Sequence, residues 1–139
     1  MSEPYEKKVR INNTEIMVPV DIQGQNTTLE VDTLAIESSV SKEIDTSTES
    51  SPVTLVTPSS GKKIETRGIY IFSDSGAGEV TVKFPDSGII VGKLYCSKFN
   101  YQNAPKVRFV GATDESLQVE WSGLDTGAKI FVIVVYREV

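Results

Sequence analysis

Ile130-Phe131-Val132-Ile133-Val134-Val135-Tyr136 is apolar at every position, and Ile69-Tyr70-Ile71-Phe72 repeats the property on a shorter scale. Runs this short, built from β-branched and aromatic residues, read as strands. A two-sheet sandwich leaves the outer face of each sheet wet, so its strands should alternate apolar and polar residues. These two do not, and their second face needs a cover. With Ile130, Val132, Val134 and Tyr136 toward the core, Phe131, Ile133 and Val135 form a hydrophobic stripe for burial against a neighbouring subunit or against the chain's own N-terminal segment. Left open, such a stripe is an aggregation liability.

Around these runs, turn signals recur at short intervals: Ser60-Gly61, Asp74-Ser75-Gly76-Ala77-Gly78, Pro85-Asp86-Ser87-Gly88, Asp114-Glu115-Ser116 and Asp125-Thr126-Gly127. Strands are predicted over 54–57, 63–73, 79–84, 89–95, 106–110, 116–121 and 129–137. Two alternate normally, with Val80, Val82 and Phe84 inward against Thr81 and Lys83, and Leu117, Val119 and Trp121 inward against Gln118 and Glu120. Short strands at this spacing, with no helix-length amphipathic segment, predict an all-β chain: an antiparallel β-sandwich, jelly-roll-like, over residues 53–139.

Residues 1–52 differ in kind. Residues 1–60 hold four basic and ten acidic side chains, whereas 61–139 hold ten and nine together with ten of the eleven aromatic residues. Ile16, Val18, Val20 and Ile22 alternate with Glu15, Met17, Pro19 and Asp21 like an edge strand, and Leu29 and Val31 repeat the idea. Burying a Val, Leu or Ile is worth roughly 1.5–3 kcal/mol, while ordering each backbone residue costs about 1–2 kcal/mol, so such fragments need something already folded. They suit an extended arm that donates edge strands to another chain or packs on its own head. Residues 38–60, with twelve Ser and Thr in twenty-three positions, read as a linker or loop-rich ascent into the head.

Composition narrows the function. The chain has no His, which removes the usual general base near neutral pH and the commonest transition-metal ligand. Cys96 is alone, so neither an intrachain disulfide nor a thiolate zinc cage is available. A formal net charge of −5 argues against phosphate-backbone binding. No apolar stretch reaches membrane-span length, and MSEPYEKKVR lacks a signal-peptide core, so assembly inside a cell is expected. No cofactor is implied.

Leu124-Asp125-Thr126-Gly127-Ala128 looks like the signature of retroviral-type aspartic proteases, but the sheet that follows the motif in that family has no counterpart in the eleven remaining residues. Asp-Ser-Gly at 74–76 and 86–88 points instead to a shared turn mechanism, in which Asp caps and Gly supplies a positive φ. Carboxylates at Asp74, Asp86 and Asp114 lack the dense spacing of a calcium loop. The segment from Cys96 to Pro105, with Lys98, Phe99 and Tyr101, reads as a long exposed loop suited to recognition, including a host-surface glycan. Tyr95 and Trp121 are expected in the core.

The stretch Val53-Thr54-Leu55-Val56-Thr57-Pro58-Ser59-Ser60-Gly61-Lys62-Lys63-Ile64, continuing through Gly68-Ile69-Tyr70-Ile71-Phe72-Ser73 to Gly78-Glu79-Val80-Thr81-Val82-Lys83-Phe84, resembles small virion proteins of tailed bacterial or archaeal viruses. Val20-Asp21-Ile22-Gln23-Gly24-Gln25 is similar to the short β-repeats of fibre-like arms. The resemblance implies a non-enzymatic capsid decoration (cement) protein, a head fibre or a tail-associated protein, commonly a homotrimer, assembled in the host cytoplasm and bound in the virion to the major capsid protein or another virion protein. The alternative is a receptor- or carbohydrate-binding module at a tail or fibre tip.

Overall fold

The computed structural model describes residues 36–98 and 100–139. The arm positions Ile16, Val18, Val20, Ile22, Leu29 and Val31, and Phe99 of the expected recognition loop, lie outside them. Eight strands form the described part: β1 (Ser38–Asp45), β2 (Val53–Val56), β3 (Ile64–Ser73), β4 (Glu79–Phe84), β5 (Ile89–Tyr95), β6 (Tyr101–Ala104), β7 (Leu117–Ser122) and β8 (Lys129–Glu138). They pair antiparallel as β1 with β8, β2 with β7, β3 with β6 and β4 with β5, as if one long hairpin had been rolled up. Two further pairings, β3 with β8 and β4 with β7, close it into four-stranded sheets of order β1-β8-β3-β6 and β2-β7-β4-β5. Two sheets wound from eight strands in this way are a jelly roll.

The core lies where period-2 alternation puts it. Ile44, Ile69, Ile71, Ile130, Val132 and Val134 of the first sheet face Val80, Val82, Phe84, Val91, Leu117 and Val119 of the second, all buried. Trp121 and Tyr136 pack against this cluster from its rim.

Four expectations need correction. Residues 38–60 are more than a linker, because Ser38–Asp45 is an edge strand and the sandwich begins upstream of Val53. Ser39, Ser41 and Glu43 occupy its wet side while Val40 and Ile44 turn inward, so only two apolar residues marked it. Lys42 shares their side and bridges to Glu49 at 3.6 Å, a charge that discourages edge-to-edge pairing. Residues 96–105 are not one loop, since Tyr101–Ala104 pairs with Ile69–Phe72. Residues 106–110 form no strand and meet β3 through one bridge, Val110 to Glu65, and through bonds between Thr66 and Phe109. Tyr95 is 69% exposed, with the Lys93 ammonium 5.4 Å from its ring centre.

One buried carboxylate holds a turn in place. Glu115 is 2% exposed and accepts the Ser87 and Ala112 backbone N–H groups, each at 2.7 Å, and the Ser87 hydroxyl at 2.9 Å, tying the β4–β5 hairpin to the turn before β7. Burial pushes its pKa up, but these donors outweigh burial and leave it below the ordinary carboxylate value. A depressed folded value gives stability that is present above the unfolded pKa and is lost as pH falls through the folded one. Glu115→Gln turns an amide N–H₂ toward groups that already donate, so a loss of about 2 kcal/mol at pH 7 is expected. Urea titrations of both proteins should show that gap narrowing below about pH 4.

Candidate functional site: the outer face of the first sheet

The outer faces of the two sheets differ in chemistry. On the β2-β7-β4-β5 sheet, Thr81, Lys83, Lys93, Gln118 and Glu120 point outward, and Lys83 meets Glu120 at 2.6 Å and Lys93 meets Glu79 at 2.8 Å. Cross-strand ion pairs of this kind are at home in water.

On the β1-β8-β3-β6 sheet the two central strands carry an apolar strip instead, flanked by Ser39, Ser41 and Glu43 of β1 and by Asn103 of β6. Residues paired across an antiparallel ladder share a face, and the register sets Phe131 beside Phe72, Ile133 beside Tyr70 and Val135 beside Gly68, with Tyr101 beyond Phe72. The Tyr70 ring lies 5.9 Å from that of Tyr101 and 6.3 Å from that of Phe131, edge-on to the latter. Phe131, Ile133 and Val135 alternate with buried Ile130, Val132 and Val134 and are half-buried themselves. Tyr101 stands out of a recognition loop and into this face, 57% exposed, while Lys98 sits in the exposed turn before it. Sequence reading found the stripe on β8 but not its extension through Tyr70, Phe72 and Tyr101. The signal was present in the double-sided apolarity of residues 69–72.

Charge is distributed unevenly along this face. At the end where β8 finishes, Glu37, Arg67, Lys106, Arg108 and Val135 line a depression of about 470 Å³, Arg67 pairs with Glu37, and Arg108 and Arg137 both pair with Glu65. A β-bulge at Arg67 turns Glu65 outward, yet Glu65 is 1% exposed because two guanidinium groups cover it: Arg137 donates through Nε at 2.8 Å, and Arg108 through its own Nε. Burial raises the Glu65 pKa, and the two arginines more than reverse that. At the end where β8 starts, Glu43, Asp45 and Asp74 gather around Lys129.

The Asp-rich turns serve the backbone. Asp125 accepts the Gly76 N–H at 2.7 Å, Asp74 accepts the Lys129 N–H at 2.8 Å and Asp114 accepts the Gly61 N–H at 2.6 Å. Gly88 and Gly127 have φ of +75° and +74°, as the turn mechanism requires. Gly76 does not share this conformation, and its turn is held from across the sandwich by Asp125. Cys96 is buried, and burial pushes its thiol pKa up, which suppresses thiolate chemistry.

The described residues form an eight-stranded jelly roll with an apolar strip along the outer face of its first sheet. No protein-family model matches the chain, and no curated protein matches it in sequence. Among solved structures, the chain is similar to one from the acidic stable capsid structure of Helicobacter pylori bacteriophage KHP30, with a TM-score of 0.56 and 15% identity over 75% of this chain and 93% of that one. At that identity the likeness is one of fold. Two others share less of the geometry. A chain of the disulfide-linked pili of Bacillus endospore appendages has a TM-score of 0.40 and 13% identity over 74% of this chain and 87% of its own. One from the virus-like particle of the Macrobrachium rosenbergii extra small virus has a TM-score of 0.39 and 18% identity over 96% and 93%.

Proposed function

We propose that this chain is a non-enzymatic structural protein of a virion, acting in capsid decoration: residues upstream of the jelly roll dock on the major capsid protein or another shell protein, and the head associates with further copies. The observation that carries the reading is the continuous apolar strip on the outer face of the β1-β8-β3-β6 sheet, whereas the other outer face carries cross-strand ion pairs with only Ile90 and Tyr95 standing among them. A surface like that needs a partner. The fold likeness adds support, because 93% of the neighbouring capsid chain is covered by this fold. Aspartates engaged with backbone N–H groups fit a structural role better than a catalytic one.

Docking is tested in the full-length chain. Replacing Ile16, Val18, Val20 and Ile22 together by Ser removes the apolar face of the predicted edge strand and leaves the jelly roll intact. Cosedimentation with shells stripped of the protein is expected to fall to background, with an unchanged circular dichroism spectrum. Retained cosedimentation would refute arm docking. Truncation is the poorer test if it passes residue 37, because it then cuts into β1.

A further inference from the structure

We propose that the outer face of the β1-β8-β3-β6 sheet binds the same face of a second copy of this chain, with the strands of the two copies antiparallel, giving a two-fold dimer. The inference rests on the assembly reading above and assigns that reading a partner and an orientation.

The apolar strip, from Val135 through Ile133 to Phe131 with Tyr70, Phe72 and Tyr101 beside it, is centred on Ile133, midway between Lys129 and Arg137 along β8. It is bounded at one end by four cations against two carboxylates: Arg67, Lys106, Arg108 and Arg137 with Glu37 and Glu65. At the other end three carboxylates, Glu43, Asp45 and Asp74, stand against Lys129. Sheets packed face to face keep their strands nearly aligned, which leaves two arrangements about a two-fold axis. With the strands parallel, each end meets its own kind. With the strands antiparallel, the cationic end of one copy lies over the acidic end of the other, and Ile133 stays at the centre for both. Complementary potentials select the second arrangement. A partner of uniform charge would satisfy only one end, whereas a second copy satisfies both.

Four strands about 4.8 Å apart, of 8, 10, 10 and 4 residues at about 3.3 Å each, give a footprint of about 500 Å² per copy. The total of about 1,000 Å² is at the low end for specific association, so the dimer should dissociate on dilution.

Sedimentation velocity on the full chain tests this. A monomer–dimer equilibrium is expected, weakening about tenfold as NaCl rises from about 50 to about 500 mM, because opposite charges face each other. Ile133→Lys sets two ammonium groups near the axis and should weaken the dimer at least about a hundredfold, with circular dichroism and melting temperature reporting that the fold is kept. Gln118→Lys, on the outer face of the other sheet, should change nothing. The salt response needs no variant, so a poorly folding Ile133→Lys does not remove the test. A chain monomeric at every concentration, its face taken by residues 1–35 or by another protein, overturns the proposal. So does a trimer, an association that strengthens with salt, or equal losses from Ile133→Lys and Gln118→Lys. A monomer or trimer that still binds stripped shells would sink the dimer and leave the virion reading standing.

Discussion

Gly78→Ala is expected to cost about 3–5 kcal/mol, a large share of the roughly 5–15 kcal/mol that holds a domain folded. Gly78 has a φ of +89°, and a Cβ placed there would lie 2.4 Å from the Gly123 carbonyl carbon and 2.5 Å from both the Gly123 and the Ser122 oxygens. All three are backbone atoms of the segment leaving β7, and none can turn aside as a side chain would. Left-handed backbone alone costs Ala about 1–2 kcal/mol, and an added methyl in a packed site typically adds about 1–3. Two anchors resist relaxation: Glu79 is paired with Ser122, and the Gly78 carbonyl accepts the Cys96 N–H at 2.8 Å. Gly88→Ala is the control, with a φ of +75° and nothing within 4 Å of the added atom, so it should cost only the backbone term. Urea midpoints of both variants measure the difference. If Gly78→Ala costs no more than Gly88→Ala, the close approach of the β4 and β7 ends is not a constraint on the fold.

Legibility in the sequence followed the strength of alternation. Glu79–Phe84 and Ile89–Tyr95 have the bounds that the sequence predicts, because Gly and Asp punctuate both sides of the first and the start of the second. The inward set of the last strand was legible too, since a seven-residue apolar run allows only two parities and its last member, Tyr136, carries a polar tip suited to the rim. Three features were hidden. The edge strand Ser38–Asp45 needs only half an apolar face, and Ser39, Ser41 and Glu43 on the other half look like linker composition. Tyr101–Ala104 sits between Asn100 and Pro105, whose turn chemistry outweighed a four-residue strand. Glu65 was obscured by the bulge: strict alternation back from Ile71 and Ile69 points residue 65 into the core, and the extra residue at Arg67 turns it to the outer face, under two arginines distant in sequence. No single-sequence signal announces such a pairing, which also explains why the electrostatic division of this outer face came only from the fold.

Arg137→Leu should destabilise the chain by about 2–3 kcal/mol at pH 7, somewhat less than the usual cost of breaking a buried ion pair. Arg108 still covers part of the Glu65 carboxylate after the change, and both arginine side chains reach solvent, Arg108 at 66% and Arg137 at 26% exposure. Burial, which in the native protein is outweighed by the two guanidinium groups, then faces only one of them, and the Glu65 pKa rises. With a folded value below the unfolded one, the native clamp stabilises at neutral pH, and that contribution disappears as pH drops through the folded value. The gap between native protein and variant should therefore shrink between about pH 5 and pH 3. Glu65→Leu combined with Arg137→Leu removes the buried charge as well and should recover most of the loss, because a carboxylate stripped of its partner costs more than an apolar pair in its place. Equal destabilisation by the single and double variants at pH 7 would mean that packing around Arg137, not charge, holds this end of the sheet. The same substitutions reach the face proposed to bind a second copy, since Arg137 contributes to its cationic end. Loss of the dimer in Arg137→Leu at a pH where the head remains folded would tie the clamp beneath the surface to the recognition on top of it.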